Sequence, residues 1–167
     1  MIQPWTSRPI EESYLFNPAF CVLLIAGASS EFTKKTGRPL PFALAFLILP
    51  IVLHKKTRQT LPSTTVTSFL TWIQDNKDML INFSERVRRL NAVTRESLLF
   101  GSGHGALLLT EDGGIKKGGK ILSPTEKRIP LLTEEARECI ERAAFLGRWL
   151  AGAGTIATIY AAWGITP

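Results

Sequence analysis

PFALAFLILPIV (residues 41–52) runs directly into LHKKTRQTLP (residues 53–62), so an uncharged apolar run is followed at once by a His, two Lys and an Arg. The apolar run is shorter than the roughly 20 residues a membrane-crossing helix needs. It reads as a buried core helix, which Pro50 is expected to kink or break ahead of the basic decapeptide. The charges that follow admit three readings: a nucleic-acid contact, a dock for an acidic partner, or a solvated helix end whose cations meet unpaired carbonyls.

Working outward, residues 17–18 (Asn-Pro) pair a capping side chain with a proline suited to the first helical position. A helix is expected from there to about Lys35, with Gly37 stopping it. Pro39 and Pro41 launch the second helix, and Pro62 closes the basic segment. A third, amphipathic helix is expected over 65–75 and a fourth over 78–91, where Leu80, Phe83, Val87 and Leu90 recur at spacings of three and four and Arg88 and Arg89 point away. A fifth, VTRESLLFG, ends at Gly101, and SGHG makes a turn. GALLLTEDGGIKKGGKIL holds two short apolar runs around TEDGG, where Asp112-Gly113 is hairpin chemistry. Thr133, Glu134 and Glu135 open a long helix with acids in its positive first turn. Gly152 and Gly154 break that helix before a last short one around residues 155–163.

These elements predict a mainly α fold with a small β-hairpin. A helix ending in Gly, then a hairpin, then another helix is the element order of a winged-helix-like module fused into a larger helical domain. At 167 residues a single domain is expected, with apolar helices over 1–76, helices plus hairpin over 77–128 and C-terminal helices over 129–167.

Composition narrows the function. A net charge of +6 favours acidic partners, and a mean hydropathy of +0.10 leaves apolar surface available to a partner. Cys21 and Cys139 sit in apolar helical patterns, so no disulfide framework is implied. The N-terminus lacks a basic stretch leading into an apolar one, which points to a cytoplasmic protein. The uncharged tail of residues 149–165 is rich in Gly, Ala and Thr and is read as packed helix, not as a membrane span.

No catalytic or cofactor site is expected. Residues 114–120 (GIKKGGK) match half of a phosphate-binding loop, but Ile121 stands where the magnesium-binding hydroxyl belongs and Ser123-Pro124 follow in place of a helix. Zinc would need His54, His104, Cys21 and Cys139, which show no ligand spacing. GSGHG is no nucleophile elbow, and the fourteen carboxylates form no cluster resembling a metal-dependent nuclease site.

NPAF (17–20), PLPFALAFLILPIVLHKKTRQTLP (39–62), TRESLLFG (94–101) and GRWLAGAGTIATIYAAWGITP (147–167) resemble the middle component of bacterial three-component systems built around an ABC-type ATPase, of which Menshen-type antiphage defence is one. The proline, LHK, TR, LP succession of residues 50–62 is the most specific part. The resemblance implies a small non-enzymatic protein acting beside an SMC-like or RAD50-like ATPase and a third component.

Two site expectations follow. His54, Lys55, Lys56 and Arg58 form the candidate partner dock, since no acid neighbours these cations in sequence and arginine suits bidentate carboxylate contacts. Lys116, Lys117, Lys120, Lys127 and Arg128, on and after the hairpin, form a candidate sequence-independent nucleic-acid contact. An adaptor between the ATPase and the third component is therefore the first expectation. A winged-helix DNA-binding protein is the alternative, weakened because VTRESLLFG offers only Arg95 and carries Glu96.

Overall fold

Asn17 caps the first helix, α1 (Pro18–Thr36): its carboxamide oxygen accepts the amides of Ala19 at 2.9 Å and Phe20 at 3.4 Å. Pro18 lacks only an N–H that the first turn would leave unpaired. Gly37, at φ 70°, ends the helix in the left-handed conformation open to glycine. The computed structural model describes residues 16–120 and 133–166. Among the described residues the chain is mainly helical with one small antiparallel sheet, as its pattern predicts.

The second helix, α2 (Phe42–Val52), does not end at Pro50; it runs two residues beyond the break expected there. The proline removes one hydrogen bond and costs about 3 kcal/mol in a helix interior. Leu47, Ile48, Leu49, Ile51 and Val52 are each fully buried, and at roughly 1.5–3 kcal/mol per side chain their burial outweighs that cost. The chain turns at Leu53 and His54 into α3 (Lys55–Thr60).

Helix α4 (Phe69–Asp75) begins four residues later than its apolar pattern suggests, because Ser68 supplies the cap by accepting the Thr71 amide at 3.2 Å. A 3-10 turn (Lys77–Leu80) and Asn82 in the left-handed region, at φ 59°, then lead into α5 (Phe83–Gly103). This one helix replaces the two expected over 78–101. Asn91 lies in its interior and faces water, where its weak helix propensity costs only a few tenths of a kcal/mol, roughly. The expected apolar stripe holds: Phe83 and Leu90 are buried, and Leu80 and Val87 pack against the core.

The hairpin forms from β2 (Leu107–Leu109) and β3 (Gly114–Lys117), and Leu40–Pro41, read from sequence as a helix start, adds a strand, β1. The order is β1-β3-β2, with Leu40 opposite Ile115 and Leu108 opposite Lys116. The hairpin therefore supplies the central strand and one edge of a three-stranded sheet. It is tied to α1 by the Ser29 hydroxyl, which donates to the Ile115 carbonyl at 2.7 Å.

Thr133 caps α6 (Glu134–Leu150) and Thr155 caps α7 (Ile156–Ala162), both as expected. Helix α6 crosses α1 with backbones nearly touching: a Cβ on Gly147 would lie 2.1 Å from the Ala28 carbonyl oxygen. Beside this crossing, Phe69, Trp72, Trp149 and Trp163 form an aromatic cluster, with Phe83 stacked on Trp163 at 4.1 Å between ring centroids. The indole N–H groups of Trp72 and Trp149 donate to the carbonyls of Thr60 and Thr67. Among the described residues no helix is long and apolar enough to cross a membrane.

Candidate partner-docking surface

The basic decapeptide does not present its charges together. His54 is the cap of α3: its Nδ1 accepts the Thr57 amide at 3.3 Å and lies 2.7 Å from the Thr57 hydroxyl. Burial, together with the charges of Arg86, Lys56 and Arg58, holds its pKa below the ordinary histidine value. Lys56 is exposed and pairs with Asp78 at 3.0 Å. Lys55 is exposed on the same helix.

Arg58 is turned inward and is only 1% exposed. Its Nη1 donates to the Val52 carbonyl, one of those that α2 leaves unpaired at its C-terminal end, at 2.9 Å. Its Nε and Nη2 donate at 2.9 Å to the carboxylates of Glu138 and Glu135 on α6. Burial opposes the charge, but the bonds to Glu138 and Glu135 outweigh it, and the guanidinium pKa lies above its usual value. The expectation that Arg58 is an uncompensated cation therefore does not hold. Sequence neighbours misled here because its acidic partners lie 77 and 80 residues away.

A second arginine repeats the motif. Arg86 of α5 reaches the Pro50 carbonyl at 3.4 Å and the Thr57 hydroxyl at 3.3 Å. The C-terminal end of α2 is thus met by cations from α3 and α5 together, and Cys139 adds a weak Sγ donor to the Val52 carbonyl at 3.8 Å. Burial pushes the Cys139 thiol up to about 11 and the Cys21 thiol up to about 12. Both cysteines are free and buried, so neither offers an accessible thiolate.

Outside the buried guanidinium, α3 and the first turns of α6 bound an open cleft of about 810 Å³. Lys55 and Gln59 line one wall, and Glu134, Arg137, Glu138 and Glu141 the other. The basic segment thus faces glutamates across this cleft, and the surface carries both signs of charge.

The hairpin cations divide differently. Lys116, Lys117 and Lys120 are exposed on or just after β3, while Lys127 and Arg128 lie outside the described residues. Residues 114–117 of the partial phosphate-loop match form the central strand of the sheet, paired on both sides. Arg88, Arg89 and Arg95 are exposed along α5, where the first two share Glu85 at 3.1 Å. Among the described residues no group of three or more His, Cys, Asp or Glu side chains could hold a metal ion.

No curated protein and no solved structure matches the chain. Residues 5–167, nearly the entire sequence and every element described above, match the ABC-three component (ABC-3C) system Middle Component 3 family, and the chain belongs to that family.

Proposed function

We propose that this middle component is a non-enzymatic adaptor, which bridges the ABC-type ATPase of its system and the third component in antiphage defence, and that the cleft between α3 and α6 is one of its docks. The observation that carries the reading is the mixed charge of that cleft, with Lys55 and Arg137 among Glu134, Glu138 and Glu141. A phosphate backbone meeting those carboxylates would be repelled, whereas a protein surface carrying both signs fits such a face and gains specificity from it. Lys55, Glu134, Arg137 and Glu141 are all exposed, and none of the four takes part in the buried Arg58 contacts.

Charge reversal tests the dock. Lys55→Glu combined with Glu141→Lys leaves the net charge unchanged, and the helical circular dichroism spectrum and melting temperature should be retained. Capture of the ATPase by the tagged variant should fall at least about tenfold, as expected for the loss of two or three interfacial charge contacts. Native-level capture removes the cleft from the interface.

One observation favours a secondary contact with nucleic acid. The continuous α5 places Arg88, Arg89 and Arg95 on a single helix ahead of the hairpin that carries Lys116 and Lys120. Such a contact would be sequence-independent and serve the assembled complex, where tethering raises the local concentration of DNA. Neutralising two phosphates through Lys116 and Lys120 corresponds to a fall in affinity of roughly tenfold between 50 and 200 mM salt. Tight, salt-resistant binding of one duplex by the free chain would instead mark a specific DNA reader and displace the adaptor reading.

A further inference from the structure

We infer that the edge of β2 that pairs with no strand among the described residues accepts an extended, apolar and acidic segment of another component of the system, added as a fourth strand of the sheet. This rests on the adaptor reading and assigns it a second contact, on residues other than those of the α3–α6 cleft.

The register decides which backbone groups are available. Gly118 donates to the Ala106 carbonyl at 2.7 Å and Thr110 to the Gly114 carbonyl at 2.8 Å, with Leu108 opposite Lys116 midway between them. In an antiparallel ladder the groups bonded to the neighbouring strand alternate along the chain. Ala106, Leu108 and Thr110 therefore face β3, and the amides and carbonyls of Leu107 and Leu109 face the open edge. The opposite edge, β1, is only Leu40–Pro41 and ends in a proline with no N–H to offer.

Side chains on the β2 edge suit a guest strand. Leu108 and Leu109 are 52% and 55% exposed, unusual for adjacent leucines on one short strand. A strand laid along this edge would cover both leucines while its backbone met the outward groups of Leu107 and Leu109, the mode in which main-chain bonds supply affinity and side-chain pockets supply specificity. Lys116 and Lys120 are exposed beside the Gly105–Leu108 end of the edge, while Glu111 and Asp112 are exposed at the turn beyond Leu109, so the positive charge is confined to the first end. Lys116 lies one strand in, about 10 Å from the guest backbone, within reach of a carboxylate on a guest side chain and near the screening length of about 8 Å. That charge selects an acidic guest. It also opposes a second copy of this chain, because pairing two β2 edges would bring together lysines of two molecules that each carry +6.

The two other components, purified singly, are the probes. Leu109→Pro deletes an outward amide and leaves the ladder to β3 intact; Lys116→Glu reverses the selecting charge. Each variant should lower capture of one component about tenfold, in line with loss of one or two strand hydrogen bonds or a charge pair, while capture through the α3–α6 cleft is unchanged. In the native complex the Leu109 amide should gain protection from hydrogen exchange, which reads the same contact without any substitution. Native capture by both variants with an unprotected Leu109 amide overturns the inference and leaves the adaptor reading standing. Loss of capture in Lys116→Glu alone, with Leu109 unprotected, overturns strand addition in favour of a side-chain contact. A dimer of the free chain that Leu109→Pro dissolves would show that the edge serves self-association, and that also overturns it. Failure of the native chain to capture either component overturns the adaptor reading and this inference with it.

Discussion

Arg58 shows how one side chain can look like a docking cation in sequence and act as a brace in the fold. It joins the end of α2 to α3 and α6 through three hydrogen bonds, two of them to carboxylates. Arg58→Met should cost about 2 kcal/mol, because Glu135 and Glu138 remain partly exposed and can turn to water once the guanidinium is gone. Arg58→Glu should cost more than about 4 kcal/mol, a large share of a typical domain's stability, since it buries an acid against two others. Urea unfolding followed by circular dichroism measures both; an Arg58→Glu protein as stable as the native one would contradict this account. His54 gives a pH signature at the same scale. Its folded pKa is depressed below 6.5, so the unfolded chain takes the proton first, and stability is full above pH 6.5 and declines as the pH falls below it. His54→Asn keeps a capping side chain and removes the titration. Its stability between pH 7 and pH 5 should therefore fall less steeply than the native protein's, and equal slopes would count against the assigned role.

Individual elements were legible where a local chemical device starts or ends them. Asn17 with Pro18, Gly37, Asp112-Gly113, Thr133 and Thr155 each act within four residues, and each stands where the sequence places it. What escaped was decided at long range. Continuation of α2 through Pro50 depends on burial by the whole core, and union of the fourth and fifth helices turns on the absence of any stop signal stronger than Asn91. The third strand is two residues, of which Leu40 pairs with Ile115, 75 positions away. The proposed dock was only half legible: the charges of residues 54–58 stand out in the sequence, but Glu135 reads there as a first-turn acid and Glu138 carries no local signal, so the pairing of both with Arg58 escapes. The α1–α6 crossing is testable at this scale. Gly147→Ala drives a methyl against the Ala28 backbone and should destabilise by about 3 kcal/mol, the upper range for overpacking. Gly152→Ala meets only the Trp149 carbonyl, at 3.9 Å, and serves as the control expected to change little in the same melt.

At the scale of the molecule, the described residues surround one contiguous set of buried side chains drawn from α1, α2, α4, α5, α6, α7 and the sheet. The two docks proposed here lie outside it: the mixed-charge cleft at α3 and α6, and the leucine-bearing edge of β2. A bridging protein needs two contacts that can be occupied together, and these two share no residue. The central claim is that the third component reaches the ATPase through this chain. The most direct measurement is a three-way capture experiment, with a tag on the ATPase and the third component quantified in the bound fraction, in the presence and absence of this chain. The account predicts that the third component is retained only when the chain is present, and that charge reversal at Lys55 and Glu141 abolishes its retention. Equal retention of the third component by the ATPase with and without the chain would contradict it.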